Sequence, residues 1–247
     1  MTILQSLPGA DHGLMVTLLG GFGLFGGDGV RIDTPRASQR LLALLALHGG
    51  ATSRAAVAGT LWPDASESHA YSDLRSALSR LGHTARKALA ASRLELGLAD
   101  GVTVDIRHAQ ALACRLLDPA STPDRSELGT AAVAALSADL LPNWYDDWVL
   151  IEAEGWRQLR LHGLEALAGW LTAAGRWGEA AGAAGAAVRA EPLRESAHAA
   201  LIQVHLAEGN QSEAVREFAR YRALLHAELG LDPTPRLRHL IQGLQSP

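Results

Sequence analysis

Residues 66–82 show the clearest helical pattern of apolar and polar positions in the chain. The apolar positions share one helix face: Ala70, Leu74, Ala77, Leu78 and Leu81. The opposite face carries small hydroxyl groups and one arginine: Ser68, Ser72, Arg75, Ser76, Ser79 and His83. Short side chains allow a helix to approach the base edges of DNA, where arginine pairs with guanine. The pattern predicts a helix suited to a DNA groove, although an ordinary surface helix has the same polarity.

Two shorter helices are predicted before this one. The first begins at Thr34-Pro35, since proline is favoured in the first helical turn, and it ends at Gly49-Gly50. The second is capped by Thr52 or Ser53 and ends before Pro63. Two short helices, a tight connection and a third helix form the core of a helix-turn-helix.

Short strands are predicted on both sides of these helices. Val16–Phe22 and Val30–Ile32 come before them, with glycines between the two strands. After them, the alternating pattern leaves two pairings open: residues 94–98 with 102–106, or residues 88–91 with 94–98 around Ser92-Arg93. Either pairing forms a hairpin, the wing of a winged helix, and the second pairing puts Arg93 at the tip.

From His108 onward the pattern is helical. We expect a loop at 119–123, helices at 126–138 and 156–174, and a break at 140–148 whose three aromatic residues pack a helix corner. GRWGEA at 175–180 matches GNQSEA at 209–214, an offset of 34 residues. That period is typical of tetratricopeptide repeats, in which helix pairs bury their apolar faces by stacking on neighbours.

Charge is spread unevenly along the 247 residues, whose net charge is −4. Residues 31–93 hold nine basic and four acidic side chains, a balance of +5. Residues 109–247 hold twelve basic and seventeen acidic ones, a balance of −5. An acidic chain as a whole argues against a nucleic-acid binder, but the basic segment coincides with the predicted helix-turn-helix.

The sequence contains no recognisable catalytic constellation. The glycines at 21, 23 and 26 satisfy G-x-G-x-x-G, but a turn and a strand follow where a nucleotide site needs a helix. The acidic residues at 146–154 suit a helix N-terminus better than a metal ion. His198 and His205 share a helix face, where structural roles are more common than metal binding. We expect no enzymatic activity, no cofactor and no bound metal.

Location is predicted from the cysteine count and the N-terminus. Cys114 is the single cysteine, which suits a reducing cytoplasm and has no setting for a nucleophile. Residues 1–13 lack the basic start and apolar core of a signal peptide. The longest uncharged run, 13–27, is too short to span a bilayer. We therefore expect a cytoplasmic protein with a flexible tail at 1–15 and no membrane association.

Several runs resemble SARP-type (antibiotic regulatory protein) transcriptional activators. In the N-terminal half they are LLGGF at 18–22, LWPDAS at 61–66, LRSALSRL at 74–81 and GVTVD at 101–105. In the C-terminal half they are LLPNWYDDW at 140–148, EPLRES at 191–196, HLAEGN at 205–210 and ELGLDPTP at 228–235. Because the runs keep the family order across residues 16–245, the resemblance is specific.

The resemblance implies a mainly α protein with a small β content and two domains. Residues 16–107 form a winged helix-turn-helix DNA-binding domain of the OmpR-like type, and residues 108–247 a bacterial transcriptional activator domain of TPR-like helices. It also implies an activator, in the short stand-alone form, that binds direct repeats near a promoter and recruits RNA polymerase. The expected partners are double-stranded DNA, RNA polymerase and a second copy in a homodimer on DNA.

Site residues are assigned on this basis. Base contacts fall on the outward face of the third helix, at Ser72, Arg75, Ser76 and Ser79. Phosphate contacts are expected from Arg54, Arg80, Arg86, Lys87 and Arg93, with Arg36 and Arg40 as weaker candidates. The resemblance implies a polymerase-contact loop at Trp62, Pro63, Asp64, Ala65 and Ser66.

The recognition helix itself is neutral, because Arg75 and Arg80 are balanced by Glu67 and Asp73. Nonspecific affinity comes mainly from phosphate neutralisation. We therefore expect modest affinity for a monomer and cooperative binding to paired sites. The neutral helix also leaves an alternative open, a helical-repeat protein–protein adaptor whose winged helix no longer binds DNA.

Overall fold

The computed structural model of the protein describes residues 13–242. In chain order its elements are β1 (Met15–Thr17), β2 (Gly23–Phe25), α1 (Arg36–His48), β3 (Thr52–Ser53), α2 (Arg54–Leu61), α3 (Glu67–Ser79), α4 (His83–Arg86), β4 (Leu89–Ala91), β5 (Glu95–Leu98), β6 (Thr103–Val104), α5 (Asp105–Leu117), α6 (Thr130–Ser137), α7 (Asp147–Ala173), α8 (Trp177–Ala190), α9 (Glu195–Glu208), α10 (Gln211–Leu229) and α11 (Pro235–Gln242). The predicted fold class, mainly α with a small β content, is confirmed.

The chain divides into two compact units. The N-terminal unit takes in residues 13–108 together with Asp139–Gly155, and the helical unit takes in Ala109–Ala138 together with residues 156–242. Most of the tail predicted at 1–15 lies outside the described residues. Its last two residues are not a tail, because the Leu14 carbonyl accepts a hydrogen bond from Thr103 and Met15 begins β1.

A three-stranded sheet of order β2-β1-β6 belongs to the N-terminal unit. β1 pairs antiparallel with β2 and parallel with β6, so Val16 lies between Leu24 and Val104. All three side chains are buried. The parallel strand β6 forms the other edge of this sheet. One of the two predicted wing pairings, 94–98 with 102–106, had placed these residues in the hairpin instead.

The two strands predicted before the helices need correction. The first ends at Thr17 instead of Phe22, because Gly20 and Gly21 turn the chain at φ of 74° and 140°. The second, at 30–32, contributes only an isolated bridge between Arg31 and Phe25. The antiparallel partner of β1 is β2, which lies in the stretch where the sequence showed mainly glycines.

Helices α1, α2 and α3 form the predicted helix-turn-helix core. Their leucines, valine and alanines pack into one cluster: Leu41, Leu44, Leu45, Val57, Ala58, Leu61, Ala70 and Leu74. Gly49 ends α1 at φ 74°, and the Ser53 hydroxyl caps α2 by accepting from the Ala56 N–H. Pro35 is the N-cap residue of α1, so this helix begins one residue later than predicted.

Residues 139–155 pack within the N-terminal unit, although the prediction placed them in the C-terminal domain at 108–247. Leu140 bridges Leu19, and the Leu141 N–H donates to the Leu18 carbonyl at 2.9 Å. These backbone pairings extend the edge of the first sheet. The segment that resembles an activator domain in sequence is therefore part of the winged-helix unit in space.

The aromatic residues of this segment pack unevenly. Trp144 is buried and stacks on Phe22, with 6.1 Å between the ring centroids. Trp148 meets Trp144 edge-on at 6.3 Å. Tyr145 is 79% exposed, so the expectation that all three aromatics pack a corner is wrong for this residue.

The helical unit contains the predicted repeat. Gly175 and Gly209 have φ of 70° and 86° in the turns that precede α8 and α10. Ala180 and Ala214, five residues after each glycine, are fully buried. The glycine of each repeat thus makes the interhelix turn and the alanine allows close helix packing, which confirms the reading of the 34-residue period.

Several helix boundaries in the C-terminal half differ from the predictions. The helix predicted at 156–174 begins at Asp147, where a carboxylate in the first turn suits the positive end of the helix dipole. The helix predicted at 126–138 begins only at Thr130. The first helix begins at Asp105, three residues before His108. Among residues 13–242, every helix is too short or too polar to cross a bilayer.

Candidate nucleic-acid interface

Helix α3 buries one face in the core and exposes the other. The buried positions are Ala70, Leu74 and Ala77, each at most 3% exposed. On the opposite face Ser72, Arg75 and Ser79 are exposed, whereas Ser76 is half-buried. The predicted polarity of the helix is confirmed, and its outer face presents small side chains around one guanidinium group.

Arg75 stands at the centre of this face. Its side chain forms no hydrogen bond or ion pair with any residue in the described range. In particular Asp73, two positions away, does not pair with it. The Ser79 hydroxyl, by contrast, donates to the Ser76 carbonyl at 2.9 Å. The guanidinium group of Arg75 is therefore available to an acceptor outside the protein.

The wing is a hairpin of β4 and β5. Leu89 pairs with Leu98 and Ala91 with Leu96 in antiparallel register, which is the second of the two pairings left open by the sequence. Leu96 is buried in the same cluster as the three helices. β3 adds a third strand on the other side of β5, a pairing that the sequence did not predict.

The tip of the wing is closed by Ser92. Its hydroxyl accepts from the N–H groups of Leu94 and Glu95 at 3.2 and 3.0 Å. Arg93 lies between Ser92 and Leu94, exposed and without a hydrogen bond or ion pair among the described residues. The turn is thus fixed by its own serine, while the arginine at its tip projects a free charge.

The five predicted phosphate ligands fall into two groups. Arg80, Lys87 and Arg93 are exposed, and their side chains have no hydrogen bond or ion pair within the described part of the chain. The Arg86 guanidinium donates to the carbonyls of Leu78 and Ser79, where a cation stabilises the C-terminal end of α3. Arg54 donates to a carbonyl of the wing tip.

The two weaker phosphate candidates bind residues of the same unit instead. Arg40 donates to the Leu61 carbonyl at 2.7 Å and forms a part-buried ion pair with Asp146. The guanidinium carbon of Arg36 lies 3.8 Å from the centre of the Trp144 ring. Both arginines hold residues 139–155 against the helix-turn-helix, because this segment supplies their partners.

The loop between α2 and α3 is partly exposed. Pro63, Asp64 and Ser66 are exposed, while Trp62 and Ala65 pack partly buried against the helical core. Ser66 is the N-cap residue of α3, although its hydroxyl bonds His69 Nδ1 at 2.7 Å instead of a backbone N–H. The surface offered by this loop is therefore the proline, the carboxylate and the serine.

Asp105 has a structural role that the spacing of the sequence did not reveal. Its carboxylate accepts from the N–H groups of Leu18, Leu19 and Ile106 at 2.7 to 3.0 Å. It joins the end of β1 to the start of α5. Burial raises the pKa of this carboxyl above 3.8, against the lowering effect of the three N–H groups. The one feature of the sequence that pointed to Asp105 was its position at the end of the GVTVD run.

The other residues considered for chemistry have ordinary surroundings. Gly23 lies in β2, so the glycine-rich run does not open a helix. His198 is buried, and its two ring nitrogens meet Glu217 at 2.7 Å and the Pro192 carbonyl at 2.8 Å. Cys114 is exposed and unpaired. Across residues 13–242 no group of three His, Cys, Asp or Glu side chains is arranged to hold a metal ion.

Comparison with known proteins agrees with this architecture. The family model described as bacterial transcriptional activator domain matches residues 104–245. This chain belongs to the SARP-type family of transcriptional activators. The domain match includes residues 139–155, although they pack with the N-terminal unit.

Two curated relatives cover nearly the whole chain. Regulatory protein AfsR of Streptomyces griseus is 28% identical over 97% of the chain and 25% of its own length. AfsR of Streptomyces coelicolor is 31% identical over 88% of the chain and 23% of its own length. The chain thus spans about a quarter of the length of these relatives.

A solved structure shows the same fold. It is Mycobacterium tuberculosis EmbR in complex with a low-affinity phosphopeptide, with a TM-score of 0.70 and 24% sequence identity. The match covers 95% of this chain and 66% of that one. At this identity the likeness shows the winged-helix and TPR-like helical architecture alone.

Proposed function

We propose that this family member regulates transcription by binding double-stranded DNA, with α3 in the major groove and the wing against the adjacent backbone. The exposed outer face of α3, where Arg75 has no partner among the described residues, carries the proposal. Arg75 donates to guanine O6 and N7. Ser72 and Ser79 make short polar contacts beside it, and Ser76 contributes from its half-buried position.

Phosphate contacts come from the cations around this face. Arg80 at the end of α3, Lys87 after α4 and Arg93 at the wing tip are exposed and carry no internal partner in the described range. Such contacts set the register of the protein on DNA without reading sequence. Arg86 already bonds the end of α3, so its main effect is on the helix.

Activation requires a second contact, with RNA polymerase. We assign it to Trp62–Ser66, because Pro63 and Asp64 are exposed beside the DNA-binding helix. Family membership supports this assignment. It also supports two further parts of the proposal, binding to direct repeats near a promoter and a location in the cytoplasm. The helical unit then supports a homodimer on DNA, which compensates for the neutral charge of α3.

The proposal is tested by fluorescence anisotropy on DNA fragments from upstream of the protein's own and neighbouring operons. We expect saturable binding to a fragment, with log K falling linearly as log salt concentration rises. Arg75→Ala removes selectivity for that fragment, at a cost of about 1–3 kcal/mol of discrimination. Arg222→Ala is the matched control, because this exposed arginine lies on α10 and has no ion pair within the described part of the chain.

The opposite result would support the adaptor interpretation. If the folded wild-type protein binds none of the fragments at low salt, it does not regulate transcription by binding DNA through α3 and the wing. Arg75→Ala and Arg222→Ala would then behave alike. The surface to examine would be that of the helical unit, since TPR-like repeats bind partners on extended faces.

A further inference from the structure

Arg54, the first residue of α2, reaches the tip of the wing. Its Nε and Nη2 atoms donate to the Ser92 carbonyl at 3.1 and 2.9 Å. Its backbone N–H donates to the Leu94 carbonyl at 2.8 Å. One residue therefore holds the carbonyl groups on both sides of Arg93.

The stability of α2 does not explain an arginine at this position. The N-terminus of a helix carries partial positive charge, so a cation there is disfavoured. The first turn of α2 contains no acidic residue that would offset it. The Ser53 hydroxyl already caps the helix. The two hydrogen bonds from the guanidinium group to the Ser92 carbonyl do explain an arginine at this position.

We infer that Arg54 is a positioning residue, which fixes the wing tip so that Arg93 meets a DNA phosphate. The inference rests on the proposed DNA-binding function and changes the role predicted for Arg54 from phosphate ligand to support. Arg54 is half-buried and has two donors on Ser92, whereas Arg93 is exposed without an internal partner in the described range. A lysine at position 54 keeps the charge but lacks the fork that holds one carbonyl twice.

The test compares Arg54→Lys, Arg93→Ala and the double variant in a salt series with a fluorescein-labelled mixed-sequence duplex. Loss of one phosphate contact at about 0.1 M salt weakens binding roughly five- to tenfold and lowers the salt slope by about 1. We expect this loss for Arg93→Ala and nearly the same loss for Arg54→Lys, with the double variant no weaker than Arg93→Ala. Arg54→Lys combined with Arg80→Ala serves as the control, in which the two losses multiply.

Two results would overturn the inference. In the first, Arg54→Lys binds DNA like the wild type, and the losses of affinity of Arg54→Ala and Arg93→Ala multiply when the two changes are combined. Arg54 would then be a phosphate ligand. The second result comes without DNA, from amide hydrogen exchange of Leu94 and Glu95, whose N–H groups bond Ser92. We expect faster exchange in Arg54→Lys with exchange in α1 unchanged, and equal exchange would refute the support role. The wild-type protein could bind no DNA while amide exchange of Leu94 and Glu95 is faster in Arg54→Lys. That result would refute the proposed function but not the role of Arg54 in fixing the wing tip.

Discussion

Arginine is used differently in the two units of the molecule. In the described part of the helical unit, several arginines form ion pairs with glutamates, among them Arg115, Arg157, Arg176, Arg194, Arg216 and Arg220. Around α3 and the wing, the cations Arg75, Arg80, Lys87 and Arg93 have no ion pair with any described residue. The cations around α3 and the wing thus have no carboxylate partner, whereas these arginines of the acidic segment do.

The difference separates charges that act within the fold from charges available to a partner. A buried or half-buried pair loses much when one member is removed, because the other is left without compensation. An exposed cation without a partner contributes little to stability, but it releases counterions when it meets a phosphate. We therefore expect substitutions in the buried and half-buried pairs of the first group to change stability, and those in the second group to change DNA binding.

The largest expected effect comes from the buried pair of the helical unit. His198 and Glu217 have side chains 2% and 5% exposed, and Glu217 also pairs with Arg220. Glu217→Ala leaves the imidazole of His198 without its carboxylate and removes apolar contacts. We expect the free energy of unfolding to fall by about 3–5 kcal/mol, measured by urea denaturation.

DNA affinity under native conditions is the control for this variant. If the comparison between the units holds, Glu217→Ala binds DNA like the wild type wherever it remains folded. A large loss of affinity in the folded variant would show that the two groups of charges do not act separately.

A smaller loss is expected from the carboxylate of the N-terminal unit. Asp105→Ala leaves the N–H groups of Leu18 and Leu19 without their acceptor in a part-buried position. Unsatisfied donors cost about 1–3 kcal/mol each when fully buried, and because these two are only part-buried we expect a loss of about 2–4 kcal/mol. Thermal unfolding followed by circular dichroism measures it, with Asp118→Ala in an exposed turn as the matched control. Equal melting temperatures of the two variants would contradict the role of Asp105.

Arg75→Lys separates charge from geometry on α3. Lysine keeps the positive charge but cannot make the planar bidentate contact to guanine. We expect the salt slope to stay unchanged while discrimination between target and unrelated DNA falls by about 1–2 kcal/mol. Anisotropy titrations with the two DNA fragments measure both quantities. Unchanged discrimination would mean that Arg75 meets phosphate and does not read a base.

The smallest expected effect is on the pH dependence of stability. The hydrogen bond from His198 lowers the pKa of Glu217 below 4.5. Ionised Glu217 therefore stabilises the fold above pH 4.5, and this contribution is lost as the pH falls through the lowered pKa. The free energy of unfolding of Glu217→Gln will fall less on acidification than that of the wild type. Burial of Asp105 acts in the opposite direction, but it is common to both proteins and cancels in their difference.

Local sequence signals located the main helices and included the wing hairpin among two alternatives, but they were insufficient for the sheet of β2, β1 and β6. The apolar stripe of α3, the serine cap of α2 and the glycine turn of each repeat depend on residues within a few positions of one another. The three-residue strands β1 and β2 contain too few residues to show alternation, and β6 pairs with β1 across more than 80 residues. Sequence periodicity cannot report such a long-range pairing.

The exposure of the candidate site residues was predictable to a similar extent. The outward face of α3 follows from helical spacing, so Ser72, Arg75 and Ser79 were found correctly as an exposed set. The partners of Arg40 and Arg54 are 106 and 38 residues away in sequence, at Asp146 and Ser92. Only the folded chain distinguishes these bonded arginines from free ones such as Arg93.

The most direct test compares two triple variants with the same change in charge. Arg80, Lys87 and Arg93 are replaced by alanine in one, and Arg189, Arg222 and Arg236 of the helical unit in the other. All six are exposed and have no ion pair within the described part of the chain. We predict that the slope of log K against log salt falls by about 3 in the first variant and stays at the wild-type value in the second. Equal slopes in the two variants would contradict the assignment of DNA binding to α3 and the wing.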